Sequence, residues 1–194
     1  MPYRINPSYP DCFYHVYNRG NNFENIFFSE ENYHFFLKQL IKYFKSDIDL
    51  IAYCLMPNHF HVIAKILIER SLENAMQRFS TSYTKAINKQ QGRVGHLFQG
   101  RYKSKPIPGN EYLLHLSRYI HLNPVRAGLV RRPEQWEFSS YLEFIGKRKN
   151  DQLKHHLITK QINDYHEFVN SYQEEQKFYL KDLLFKDEKS PTKY

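Results

Sequence analysis

The sequence predicts an α+β fold: a ferredoxin-like split βαβ arrangement with a central antiparallel sheet, helices on one face, an appended helix, and a helical C-terminal tail. Three observations predict it. Some segments alternate at period two and others repeat at helical spacing; the segments follow as strand, helix, strand, strand, helix, strand, helix; and the middle strands are joined by Met56-Pro57-Asn58 alone.

Each element has its own warrant. Residues 13–18 alternate ring and β-branched side chains and run into the turn-forming Arg19-Gly20-Asn21-Asn22, which makes them a first strand. Ser29 with Glu30 and Glu31 is a helix start, because an oxygen-bearing cap and early acids suit the unpaired N–H groups there. Phe36, Leu37, Leu40, Ile41 and Phe44 continue that helix to an end near Ser46. Residues 48–55 and 59–66 form a hairpin at the centre of the sheet. Ser71 opens a second helix, whose stripe Leu72, Ala75, Met76, Phe79, Tyr83, Ala86 and Ile87 fades into the polar residues 90–95. Residues 97–107 read as a strand with Arg101, Lys103 and Lys105 on one side, a track for phosphates. Asn110 and Glu111 begin a third helix through Tyr112, Leu113, Leu116 and Ile120. It should stop near Asn123, because a residue before proline resists the helical conformation, with one further turn over 124–127 before Gly128.

Composition bounds the function. With 194 residues, 41% hydrophobic and 25% charged, the chain suits one domain with a packed core. Residues 150–194 carry seven Lys against eight acids, so the net charge of +8 resolves into +9 on residues 1–149 and −1 on the rest. We therefore divide the chain into a basic domain, 1–149, and a helical, partly disordered tail, 150–194, with helical patches at 165–172 and 178–185 and a frayed end at 186–194. The sign of the charge suits a partner bearing phosphates. Cys12 and Cys54 stand far apart, which excludes a disulfide framework or a zinc finger and fits a cytoplasmic location. No apolar leader and no membrane-length apolar run occur. Aromatics reach 16%, which suits either a ring-rich core or the stacking of unpaired bases.

His59-Phe60-His61 opens a predicted strand, so its two imidazoles share a face about 6–7 Å apart and can converge on one cation. Two structural histidines would look the same in sequence. His115, Tyr119 and Asn123 lie at i, i+4 and i+8 and line one face of the third helix, where Tyr119 can equally pack and Asn123 can equally cap. His121 points elsewhere, and His15 on the first strand has no assigned role.

Pro57-Asn58-His59-Phe60-His61-Val62-Ile63, then His96-Leu97-Phe98-Gln99-Gly100-Arg101-Tyr102, then Arg118-Tyr119-Ile120-His121-Leu122-Asn123-Pro124-Val125-Arg126-Ala127-Gly128-Leu129, and finally Trp136-Glu137-Phe138-Ser139-Ser140-Tyr141 together resemble the REP-associated tyrosine transposases, a branch of the single-tyrosine HUH transposases. The resemblance spans roughly residues 10–147. It implies that His59 and His61 are metal ligands completed by Asn123, that the ion is Mg²⁺ or Mn²⁺, and that Tyr119 is the nucleophile. It implies a substrate of single-stranded or hairpin DNA, cleaved and rejoined through a 5′-phosphotyrosine link.

A free phenol titrates near 10 and attacks a phosphodiester only when oriented and assisted, which is the work a cation held by these side chains performs. The absence of GxxxxGK[ST] fits a chemistry that conserves bond energy and needs no nucleotide. For DNA contacts the sequence offers Arg101, Lys103, Lys105, Arg118 and Arg126, and His115 is the candidate for proton transfer. Competing readings are a catalytically silent hairpin-binding protein, a replication-initiator-type HUH nickase, and a metallohydrolase that uses water. The spacing suits a monomer or a homodimer equally, and nothing suggests a membrane partner.

Overall fold

A computed structural model describes residues 7–171. Its main elements are β1 (Phe13–Arg19), α1 (Glu30–Phe44), β2 (Ile48–Met56), β3 (His59–Ile66), α2 (Ser71–Gln91), β4 (Lys103–Pro106) and α3 (Asn110–Arg126). Three short helices follow: α4 (Tyr141–Phe144), α5 (His156–Thr159) and α6 (Tyr165–Asn170). The four strands form one antiparallel sheet in the order β2-β3-β1-β4, the split βαβ arrangement that the element order predicts.

Alternation along the strands gives the sheet two different faces. Tyr14, Val16, Phe60, Val62 and Ala64 are buried on one face. There Phe60 meets Phe36 of α1 at 5.0 Å between ring centroids and Phe79 of α2 at 6.5 Å, while Phe36 and Phe79 pack edge to face at 4.7 Å. Interlocked rings at these separations add roughly 0.5–1.5 kcal/mol per pair beyond the burial of their area. The aromatic excess in the composition is thus largely core: among the described residues, Tyr14, Phe27, Tyr33, Phe36, Phe44, Tyr53, Phe60, Phe79, Tyr83, Tyr141 and Tyr165 are all buried.

On the opposite face stand His15, Tyr17 and Arg19 of β1 beside His59 and His61 of β3, because Tyr17 pairs with His61 and Arg19 with His59. α3 covers this face. The outer edge of β2 is closed by the chain at 136–140, where Leu55 N donates to Phe138 O, Ser140 N to Tyr53 O, and Trp136 Nε1 to Leu55 O. A covered edge cannot recruit a foreign strand.

Three expectations need correction. The strand expected over 97–107 is extended only at 103–106, because Gly100 turns the chain with φ +82° and the segment before it tucks Leu97 and Phe98 into the core. α3 does not stop near Asn123 but runs through Pro124 to Arg126. Proline so close to the C-terminus removes one amide from the helix, and the last turn is secured by Ala127 N on Asn123 O and Leu129 N on Pro124 O, with Gly128 at φ +69°. Packing also runs past the boundary expected at 149/150: Leu153, Ile158, Tyr165 and Val169 are buried with the rest of the core. The patch expected from residue 165 is α6, whereas those at 178–185 and 186–194 lie outside the described residues. No helix among the described residues is long and apolar enough to cross a membrane. Cys12 and Cys54 are both free thiols.

Candidate functional site

Register on the sheet brings His59, His61, His15, Tyr17 and Arg19 together beneath α3. The rings of His59 and His61 stand 5.1 Å apart at their centroids and nearly perpendicular, at 88°. His61 is 1% exposed and His15 0%, whereas His59 at the mouth is half-buried.

Hydrogen bonds fix both rings. Nδ1 of His59 lies 2.6 Å from Asn58 Oδ1 and so donates to it, since a carboxamide oxygen only accepts. Nδ1 of His61 lies 2.9 Å from Nε2 of His15, and these two rings stack at 5.1 Å with 17° between their planes. Burial, with the Arg19 cation in support, brings the His59 imidazole down to about 4. Burial also holds His61 well below its ordinary value, helped by His15 and His59 beside it. Both rings are therefore neutral at neutral pH, the form in which an imidazole nitrogen can coordinate a metal.

α3 carries Tyr119 to this place. Its ring stands edge-on to His61 at 6.2 Å, and the side chain is 2% exposed. The guanidinium of Arg126, two turns further along and exposed, lies 5.0 Å from the centre of the Tyr119 ring. Asn123, one turn after Tyr119 on the same helix face, is 8% exposed, and its side-chain nitrogen is buried with no hydrogen-bond partner among the described residues. An amide left so is unusual, because a buried donor without a partner costs about 1–3 kcal/mol. No group of three His, Cys, Asp or Glu side chains among the described residues is arranged to hold a metal ion, so any cation here would rest on the histidine pair and an amide.

The expected DNA contacts divide. Lys103 and Lys105 lie on β4, paired with Tyr17 and His15, which puts them on the histidine face; Lys103 is exposed and Lys105 half-buried. Arg101 is exposed but lies before the strand, so it does not continue their row. Arg118 is a correction. It is 2% exposed and turned inward, donating from Nη1 to Phe168 O at 3.0 Å and from Nη2 to His115 Nδ1 at 2.6 Å, with its guanidinium 4.3 Å from the centre of the Phe168 ring. It anchors α6 to α3 and is not a surface for phosphates. His115, the expected proton-transfer group, has Nδ1 engaged by that bond and Nε2 4.0 Å from Glu111 Oε1. His121 is structural, as its placement in sequence indicates: it sits between Tyr165 Oη and Ser140 Oγ at 2.8 Å each, and burial depresses it to about 3.

Sequence reasoning left His15 without a role, assigned none to Tyr17 and read Arg19 as a turn residue. Their signal was there: 15, 17 and 19 place polar or ring side chains on alternate positions of a strand whose other positions are Tyr14, Val16 and Asn18. Arg19 ends β1, stacks over the Phe23 ring at 4.2 Å and donates from Nε to Gln99.

The sequence pattern of the IS200-like transposases matches residues 8–123, more than half of the chain. A solved structure of a REP-associated tyrosine transposase bound to a REP hairpin has the same fold. It superposes with a TM-score of 0.62 at 19% identity, covering 79% of this chain and 94% of that one. No curated protein matches the sequence.

Proposed function

The chain belongs to the IS200-like transposase family, and from that premise we propose that it cleaves and rejoins single-stranded DNA beside a hairpin through a 5′-phosphotyrosine link on Tyr119. The observation that carries this reading is the Tyr119 ring standing edge-on to His61 at 6.2 Å, with Asn123 one turn further along the same helix. The hairpin is suggested by the solved relative's bound DNA, and the basic character of the chain suits it.

The donor set fits a divalent cation. Nδ1 of His59 is taken by Asn58 and Nδ1 of His61 by His15, so Nε2 is the nitrogen each neutral ring gives to a metal. Asn123 adds an amide whose nitrogen lacks a hydrogen-bond partner among the described residues. Two imidazoles and an amide oxygen would hold Mg²⁺ or Mn²⁺ and leave the ion open to a phosphate. When bound, that ion supplies Lewis acidity to the scissile phosphate and holds it in place.

The chain's own residues do the rest. Tyr119 Oη forms a bond to phosphorus while the bond from phosphorus to the 3′ oxygen breaks, leaving the 5′ phosphate on the tyrosine. The departing oxygen takes up a proton and becomes a 3′-OH. The phenolic proton passes to solvent as Oη attacks, because His115, one turn back on the same helix, accepts from Arg118 at Nδ1 and so carries its own proton on Nε2. Attack by a 3′-OH reverses these steps and regenerates Tyr119. Arg126, exposed and with its guanidinium 5.0 Å from the centre of the Tyr119 ring, would supply a cation to the arriving phosphate.

The test is incubation of the wild type and of Tyr119→Phe with magnesium and a 5′-extended hairpin oligonucleotide, resolved on a denaturing gel. A covalent protein–DNA band is expected for the wild type only. No band from wild type on hairpins that it binds would favour a catalytically silent hairpin binder, and strand cleavage retained by Tyr119→Phe would favour water as the nucleophile.

A further inference from the structure

We infer that His15 is a positioning residue: through its Nε2 it holds His61 in the tautomer that carries its proton on Nδ1 and presents the Nε2 lone pair to the site. This rests on the reading above in calling that lone pair a metal ligand; the contact admits two placements of its proton, and the test below reads which one the protein adopts.

Nε2 of His15 and Nδ1 of His61 are 2.9 Å apart, the rings lie 17° from parallel, and the two residues are 0% and 1% exposed. One hydrogen bond between two neutral imidazoles contains one proton, so it has two forms. Either His61 Nδ1–H donates to His15, and His61 Nε2 has a lone pair, or His15 Nε2–H donates to His61, and the proton of His61 must sit on Nε2. The second form closes the nitrogen that a cation needs. His15 therefore decides, by accepting, whether His61 is competent. Its place is set by the fold: β1 pairs with β3 so that Tyr17 faces His61 directly, and His15, two residues back on the same face, reaches diagonally to the imidazole. The Tyr17 ring, 4.7 Å from His15 and 6.2 Å from His61, packs beside both. Outer partners of this kind orient metal-binding histidines, and their loss costs about 10–100-fold in metal affinity.

His15→Phe keeps the ring volume and removes the acceptor. His15→Gln places an amide oxygen where Nε2 stands and restores it. Two readouts on the full chain test the role: the nitrogen chemical shifts of His61 in metal-free protein with ¹⁵N-labelled histidine, and the affinity for Mn²⁺ alone measured by electron paramagnetic resonance. The expected result is an Nδ1–H tautomer in wild type, lost in His15→Phe together with about 10–100-fold of Mn²⁺ affinity, and both restored to within a few-fold in His15→Gln. An Nε2–H tautomer in the wild type overturns the inference, and so does a His15→Phe variant that binds Mn²⁺ as wild type does. Should His15→Phe fail to fold, the wild-type shifts and the glutamine variant still decide. Wild-type protein with the Nδ1–H tautomer but no Mn²⁺ binding would leave His15 in its role and sink the metal reading instead.

Discussion

Phe60 and His61 are neighbours in sequence, equally buried at 1% exposure, and stand on opposite faces of one sheet. Burial does not distinguish the two faces; what burial requires of each does. Under α1 and α2, Phe60 meets Phe36 and Phe79, and apolar packing is complete once the volume is filled. Under α3, each buried imidazole needs a hydrogen-bond partner, and the partner found fixes the direction of the ring. The period of two along a strand lets β3 serve both demands in consecutive residues, so the face that stabilises the fold and the face that arranges the chemistry share one backbone.

The sharpest way to break this comparison is to truncate each neighbour. Phe60→Ala should cost about 3–5 kcal/mol by removing the ring from a close-packed cluster. His61→Ala should cost about 1–2 kcal/mol, the loss of one hydrogen bond and a small cavity, while removing any covalent DNA product. Urea unfolding of both variants decides it. Equal losses would mean that the histidine face bears as much of the fold as the aromatic one.

Acid should separate the faces next. His59 is brought down to about 4 by burial and His121 to about 3, whereas both protonate near 6.5 in an unfolded chain. A depressed imidazole contributes stability that is fully present above pH 6.5 and is lost as the pH falls toward the folded value. Between pH 6.5 and 5 each such group should withdraw up to about 2 kcal/mol, at about 1.4 kcal/mol per pH unit. The aromatic face bears no imidazole on its strands and should not respond. The urea midpoint should therefore fall between pH 7 and pH 5, and a flat midpoint would show that these rings take up protons without cost.

Much of this was legible in the sequence, for stated reasons. Period-two and helical patterns located β1, β2, β3, α1 and α2 to within a residue or two at most ends, and the His59-Phe60-His61 alternation put both imidazoles on one face. What was not legible depends on pairing between distant residues. His15 has no spacing relation to His61 until β1 is registered against β3. Arg118 reads as a helix cation until its backbone partner, Phe168, arrives fifty residues later. The proline in α3 misled for a local reason: its penalty falls on a helix end, where only the last turn depends on it.

The smallest expected effects sharpen the distinction between a cation that meets solvent and one that does not. Lys103 is exposed on β4, on the histidine face, whereas Arg118 is 2% exposed and held by Phe168 and His115. Both carry +1 in the domain where the net charge is concentrated, so charge alone predicts equal contributions to DNA affinity. Geometry predicts otherwise. Lys103→Ala should leave stability within about 0.5 kcal/mol and reduce the slope of log affinity against log salt by about one, as expected when one phosphate contact is lost. Arg118→Met should leave that slope unchanged and lower stability by about 1–3 kcal/mol, because the carbonyl of Phe168 and Nδ1 of His115 lose their donor. Salt titration of hairpin binding, paired with urea unfolding, reads both. A reduced slope for Arg118→Met with unchanged stability would mean that the guanidinium leaves α6 to meet DNA, and that the contact with Phe168 is the resting state of a cation shared between the fold and its substrate.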